Sequence, residues 1–432
     1  MTDLEITNVR IVTPVSVIER GAVVVRGGRI TSLLGPAPRG RGRQTRQRDP
    51  EREVVDGQGR LLLPGFIDLH NDGIEQEIEP RPNAVFPLPI ALAALESQLV
   101  SHGITTIFHS FSFMDGREGT LHPDGLEPAI RELNRLRRAG AIRHLVHARY
   151  EIVETHHAER LQRLIDDRQV ALLSIMDHTP GQGQYRDVAG LVNFYVRKYH
   201  AQPGDVDAIL RERERKALNA DVPRVLERLA EYARRARLPV ASHDDDSAAK
   251  VQRMRALGVT ISEFPVDMEA AVAASQCGMH VAVGAPNVLR GQSTNGNLSA
   301  REAIGNNAVD VLCSDYYSPS MLHAVFCLAR EGLMSLPDAV RMASFHPARA
   351  AGLGTQFGSL EIGKRADMIL VSESGGQPLV VAAWVGGHRV FERHDGILSA
   401  MGERWAAEAL AAEAPAAARE PTEQETTHAS RD

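Results

Sequence analysis

Eight short apolar segments follow one another between Val54 and about residue 318: GFIDLH, ITTIFHS, RHLVHARYE, ALLSIMDH, PVASHDD, TISEFP, HVAVGAPN and DVLCSDYY. Among the stretches between them, DGLEPAIRELNRLRRAG, AERLQRLIDD, VPRVLERLAEYARRAR and DMEAAVAASQCG place apolar residues at helical spacing. Strands that alternate with helices are joined by crossovers, so they build a parallel sheet with helices outside. Eight such strands are the number that closes a parallel sheet into a barrel. The expected fold class is therefore α/β, a distorted (β/α)8 barrel.

The flanking segments have a different period. Residues 3–34 alternate as short strands, with Gly27 and Gly28 supplying a tight turn, and residues 359–392 return to alternating strands with glycine turns. We expect both ends to pair into one small β-sandwich attached to the barrel. The expected division is residues 1–56 for its first part, 57–355 for the barrel, 356–395 for its second part and 396–432 for a helical or disordered tail. Residues 36–53, rich in Arg, Gly and Pro, read as an exposed loop.

With 43% hydrophobic and 24% charged residues in 432, the chain can bury a large core, and it holds no apolar run of membrane-spanning length. The start, MTDLEITNVRIV, alternates like a strand instead of showing a basic, then apolar, export signal, so a cytoplasmic location is expected. Cys277, Cys313 and Cys327 form no knuckle or redox spacing and are expected to be reduced and buried. A net charge of −6 argues against wholesale nucleic-acid binding, so an anionic ligand must find a local positive pocket.

Chemistry-bearing side chains sit where the strand segments end. His70 and Asp72 close PGFIDLHND two residues apart, a spacing that puts both on one face of a strand. Glu151 follows HLVHARY, His178 follows LLSIM, His243 follows PVAS and Asp315 follows VLCS. In a parallel barrel these ends converge on one rim, the face where such barrels place catalysis. Three imidazoles and three carboxylates there point to a divalent metal, zinc first, with iron, manganese or nickel compatible with the same donors. The remaining histidines, including His102, His144, His147, His156 and His157, read as structural or exposed, and His109 is the one expected nearest the rim.

The LPGFIDLH strand after a small β unit, the later strand-end histidines and the last-strand Asp together resemble the amidohydrolase superfamily. Within it, HND, EPRPNAVFP, SIMDHTPGQGQY, ASHDD, EFP, GAPNVLRGQSTNGN and SDYYSPS resemble the PhnM branch. Members of that branch are alpha-D-ribose 1-methylphosphonate 5-triphosphate diphosphatases of the carbon-phosphorus lyase pathway. The superfamily usually carries His-x-His on its first strand, and Asp72 stands at the second position here.

The resemblance implies a one- or two-ion site with His70, Asp72, Glu151, His178, His243 and Asp315 as ligands. Glu151 would lie between the ions and Asp315 would take the proton of the attacking water. It implies hydrolysis of a ribosyl triphosphate to the 5-phosphate and pyrophosphate, with a homodimer as the expected assembly. Such a substrate needs cations, and Arg81, Arg149, Lys198 and Arg290 are the candidates, Arg290 foremost because Gly291, Gly296 and Asn297 let backbone amides turn toward an anion. The rival readings are hydrolysis of an amide or cyclic amide on the same scaffold, which would not need the Arg81, Lys198 and Arg290 cluster, and a non-catalytic scaffold, which loss of ligands would favour.

Overall fold

The computed structural model describes residues 3–35, 52–81, 84–115, 123–183, 203–293, 296–373 and 376–393, together with residues 192 and 196. Most of the basic stretch, Lys198 and the C-terminal tail lie outside the described residues.

Two sheets organise the chain. The N-terminal strands are β1 (Leu4–Val12), β2 (Val17–Arg26), β3 (Arg29–Leu34), β4 (Glu53–Asp56) and β5 (Leu61–Pro64). The barrel strands are β6 (Phe66–Asn71), β7 (Ile104–Phe113), β8 (Arg143–Glu151), β9 (Leu172–Met176), β10 (Val240–His243), β11 (Ile261–Glu263), β12 (His280–Gly284) and β13 (Val311–Cys313). The C-terminal strands are β14 (Met368–Ser372), β15 (Leu379–Val385) and β16 (His388–Glu392).

The first sheet is mixed, in the order β16-β15-β14-β5-β1-β2-β3, with β4 also on β1. Its two chain ends meet where β5 pairs antiparallel with β14, Leu62 opposite Leu370. β1 alternates buried and accessible residues, as a sheet covered on one face does. Ile6, Ile11, Val23, Met368 and Trp384 lie in a core of its own.

The second sheet is the barrel. Its strands pair in parallel in strict sequence order from β6 to β13, and a parallel bridge between Asn71 and Asp315 closes the ring. Eight parallel strands with helices between them make the distorted barrel that the periodicity predicts. Burial reports the difference between the two sheets: all ten residues of β7 are buried, because side chains on one face fill the barrel and those on the other meet the helices. Phe108 and Leu145 pack with the inner cluster, while Ile107, Phe111 and Val146 pack outward.

The helices that cover the barrel include α1 (Gly73–Ile78), α2 (Leu88–Ser101), α3 (Pro123–Leu136), α4 (Ala158–Asp166), α5 (Pro203–Ala217), α6 (Val222–Arg235), α7 (Ala248–Ala256), α8 (Met268–Gln276) and α9 (Ala285–Arg290). None of the described helices is long and apolar enough to cross a membrane. The three cysteines are free, as expected, but only Cys313 is buried; Cys277 and Cys327, on or just beyond the outer helices, are half-buried.

The two sheets join at Gly65. A Cβ there would lie 2.2 Å from the Thr105 Oγ1, so only glycine lets β5 run directly into β6 beside β7.

The closing seam is built from buried polar groups. The Asp72 amide donates to the Asp315 carbonyl and the Asp315 amide to the His70 carbonyl, both at 3.0 Å. Below them Asp68 accepts from the Ser314 amide at 3.0 Å and from its hydroxyl at 2.5 Å. The Asn71 amide group donates to Ser314 Oγ at 2.6 Å and Ser318 Oγ at 2.9 Å. Replacing Asn71 with Ala leaves those hydroxyls short of a donor across the seam, and about 1–3 kcal/mol of stability should be lost. Urea unfolding of the variant reads this directly, and an unchanged midpoint would remove the side-chain seam from the account of closure.

Candidate metal centre

The inner face of each barrel strand carries its chemistry to the C-terminal rim. On β8 the period of two puts His147, Arg149 and Glu151 on that inner face. β9 ends two residues before His178, β10 ends at His243, β11 ends at Glu263, and β13 ends two residues before Asp315. His178 and His243 thus belong to the fourth and fifth barrel strands.

Glu263 lies at the centre. Its Oε1 accepts from His70 Nδ1 at 2.9 Å, and its Oε2 accepts from the Ser174 hydroxyl at 2.8 Å. The same Oε2 lies 4.0 Å from His147 Nε2 and 3.9 Å from His243 Nε2. Around this carboxylate the donors form two groups that share His70, namely His70, His147 and Glu263, and His70, Asp72 and Asp315, and a third of His178, His243 and Asp244. In the last, Asp244 Oδ2 is 3.0 Å from His243 Nδ1 and 3.7 Å from His178 Nε2. Glu151 joins this side, with Oε2 2.9 Å from His178 Nδ1 and Oε1 accepting from the His178 amide at 3.2 Å.

Of the residues singled out from sequence, His70, Asp72, Arg149, Glu151, His178, His243 and Asp315 come together here. Arg149 Nη1 donates to Asp72 Oδ1 at 3.2 Å, and that oxygen is 3.3 Å from His70 Nε2. Arg81 is exposed beyond α1. Arg290 is exposed too, and it is the last residue of α9, not part of a loop; Gly291 follows it at φ 74° as the helix cap.

His109 turns away from the rim. It is the outward neighbour of Phe108 on β7, and its Nε2 and His144 Nδ1 share a 2.9 Å hydrogen bond. His144 Nε2 in turn donates to Glu96 Oε2 on α2 at 2.7 Å, so this pair ties a strand to a helix.

Three residues escaped the sequence reading: His147, Glu263 and Asp244. Glu263 ends its strand segment just as the recognised residues do, Asp244 follows His243 directly, and His147 shares its strand face with Glu151. Each had a positional signal.

The local backbone is bent to reach this arrangement. Asp244, Phe264 and Asp315, each just past a strand end, have φ of 53°, 58° and 58°. The left-handed region costs a side-chain-bearing residue roughly 1–3 kcal/mol, and such strain gathers at functional sites. Behind the rim, Asp245 accepts from Ser242 and Ser262 hydroxyls, both at 2.6 Å, and Lys250 on α7 donates to the His243 and Asp244 carbonyls.

The electrostatics are those of a cation site. Burial works against a charged His70, yet the Glu263 and Asp72 carboxylates push it up to about 10. His178 is likewise raised to about 9 against burial, through Asp244 and Glu151. Burial, followed by repulsion from Asp72, pushes the Asp315 carboxyl up to about 7. His147 is held down to about 3 by burial, so its ring is neutral and keeps a lone pair.

The residues fit a divalent ion on an observation independent of spacing. His147 is fully buried, and neither of its ring nitrogens is in a hydrogen bond, while His243 Nε2 is likewise without one. Buried imidazoles are ordinarily satisfied, and a coordinated cation satisfies these.

A diphosphatase is similar to most of this chain over its own full length. The chain is 33% identical over 390 residues to the alpha-D-ribose 1-methylphosphonate 5-triphosphate diphosphatase of Escherichia coli (strain K12), covering 89% of this chain and all of that one. Residues 200–399 match the model of the amidohydrolase family. The chain belongs to the amidohydrolase superfamily, in the branch of that diphosphatase. It is a metal-dependent hydrolase.

Solved structures share the fold. An N-acetylglucosamine-6-phosphate deacetylase from Pasteurella multocida has TM-score 0.55 at 14% identity, over 90% of this chain and 99% of that one. An adenosine deaminase from Xanthomonas campestris, solved with bound zinc, has TM-score 0.53 at 16% identity, over 95% and 99%.

The raised imidazoles set a pH dependence for the metal-free protein. Their folded values lie above the unfolded value of about 6.5, so their contribution to stability is complete below that pH and is lost as pH rises through about 9 and then about 10. Asp315 acts in the same direction lower down: the unfolded carboxyl ionises near pH 4 and the folded one near 7, so stability falls across that window. The urea midpoint of chelator-treated protein should therefore decline from pH 7 to 10, with the part near pH 9 missing in His178→Gln. A midpoint flat over that range would contradict the paired, protonated imidazoles.

Proposed function

We propose that this hydrolase cleaves alpha-D-ribose 1-methylphosphonate 5-triphosphate to the 5-phosphate and pyrophosphate in phosphonate degradation. The observation that carries the reading is Arg149. Its guanidinium is largely buried among carboxylates at the catalytic rim, with Nη1 on Asp72 and an Nε in no hydrogen bond. Arg149 offsets the charge of Asp72, and a guanidinium so placed also suits a triphosphate, because guanidinium N–H groups match phosphate oxygens. The similarity to the diphosphatase over its full length supports the same substrate.

In this proposal the ligands are His70, Asp72, Glu151, His178, His243 and Asp315, extended by His147, Glu263 and Asp244. Glu263 touches imidazoles on both sides of the cluster, so it is better placed than Glu151 to stand between two ions. Zinc is the proposed metal, since imidazole and carboxylate donors suit it. Bound divalent ions supply Lewis-acid polarisation of a phosphoryl oxygen and a water that ionises near neutral pH.

The chain's own groups do the rest. Asp315, just past the end of the last barrel strand, accepts the proton of the water that attacks the α-phosphorus. Its left-handed backbone aims the side chain. Arg149 fixes Asp72 and offers its free N–H to the phosphate as charge moves onto the leaving pyrophosphate. Arg81 and Arg290 would serve only as outer cations, at the positions where they are exposed.

Pyrophosphate release from a panel of ribosyl and nucleoside triphosphates tests the proposal. Arg149→Ala should lower kcat/KM for the ribosyl triphosphate about 10- to 150-fold, the equivalent of a charged hydrogen bond of about 1.5–3 kcal/mol, with metal content unchanged. Asp315→Asn should lower kcat by about 10²–10⁴. Release of single phosphates, or full activity in Arg149→Ala, would overturn the reading.

A further inference from the structure

Outside the barrel-end cluster, a second group of donors converges at the rim: Asp115 just beyond β7, and His156 and His157 in the turn Thr155–His157 before α4. His157 Nε2 donates to Asp115 Oδ1 at 3.0 Å, and His156 Nε2 lies 3.1 Å from Oδ2 of the same carboxylate. The two rings are stacked obliquely, 4.1 Å apart. Two donors on one tetrahedral zinc, each about 2.0–2.1 Å from it, are separated by about 3.3 Å, so these side chains already stand close to ligand spacing.

A carboxylate and an ammonium adjoin the group. Glu154 Oε2 is 3.7 Å from His156 Nδ1, and Lys216 from α5 has been drawn in, with Nζ 2.7 Å from Glu154 and 3.8 Å from Asp115 Oδ2. Two carboxylates, Asp115 and Glu154, face the Lys216 ammonium, and Arg160 lies within electrostatic reach of His157. His157 is almost fully buried, and burial lowers its pKa, so a cation would displace only the single Nε2 proton that it shares with Asp115.

We propose that Asp115, His156 and His157 form a zinc-binding site separate from the catalytic centre, and that its occupation loosens α5. The donors are one carboxylate oxygen and two imidazole nitrogens, a set that suits zinc, and solvent reaches them because His156 is 56% exposed. A dication held by Asp115 repels the Lys216 ammonium beside it and withdraws one of the two carboxylates that hold α5.

The consequence reaches the catalytic rim through the same helix. One turn before Lys216, Arg213 donates from Nη1 to the His178 carbonyl at 3.2 Å and from Nη2 to Met114 Sδ at 3.3 Å, next to Asp115. Zinc at the rim therefore acts on the helix that braces the backbone of His178.

The test uses full-length protein whose catalytic centre is already loaded, titrated with zinc against a chromophoric chelator. Wild type should take up one further equivalent per chain, bound at least 10-fold more weakly in His156→Ala and in Asp115→Asn. In hydrogen exchange, amides of residues 203–217 should exchange at least 3-fold faster at saturating zinc in wild type and unchanged in His156→Ala. Absence of the further equivalent, or its retention at full affinity in both variants, overturns the site. Exchange of α5 indifferent to zinc overturns the coupling. Neither readout depends on which substrate the enzyme hydrolyses.

Discussion

The first and last barrel strands, separated by some 240 residues of chain, are joined by two backbone hydrogen bonds between His70, Asp72 and Asp315. Everything at the rim depends on that seam. It closes the sheet, so that no edge is left unpaired, and in the same stroke it sets a histidine and two aspartates against each other. Asp68, Asn71, Ser314 and Ser318 make the closure a buried polar network, whose members cost stability if any one is left without its partner.

The rim concentrates like charge, and the fold bears that through three means. Carboxylates meet imidazoles, so Glu263 is held well below its ordinary range by His70 despite full burial. Arg149 brings a permanent positive charge between Asp72 and the other acids. Left-handed residues at three strand ends turn side chains inward at a conformational cost that the surrounding packing sustains. Without metal, His70 and His178 carry protons that a bound cation must displace, which couples metal affinity to pH.

Much of this was legible along the chain because the relevant signals are local. Strand segments read as apolar runs, and a polar residue after such a run sits at a strand end whatever the rest of the chain does; His70, Asp72, Glu151, His178, His243 and Asp315 were found this way. What escaped notice turns on strand parity. His144 and His147 look alike in RHLVHAR, yet one faces α2 and the other the barrel axis. His109 looked like a rim residue and points outward, because Phe108 takes the inward place. Glu263 had the right position but no companion nearby in sequence. Arg290 looked like a phosphate-binding loop residue, and the short helix α9 carries it to an exposed cap.

The sequence by itself determined the alternation of strand and helix, the barrel class, the superfamily and the kinds of atoms available to hold a cation, because each rests on periodicity and residue type within a short window. Only the tertiary structure decided which residues meet: that Glu263 is the hub, that His147 joins it while His109 and His144 brace a helix, and that Arg149 rather than Arg290 is built into the cluster. Those choices depend on the inward face of each strand and on the closure between β6 and β13, and these are fixed by packing the whole ring at once.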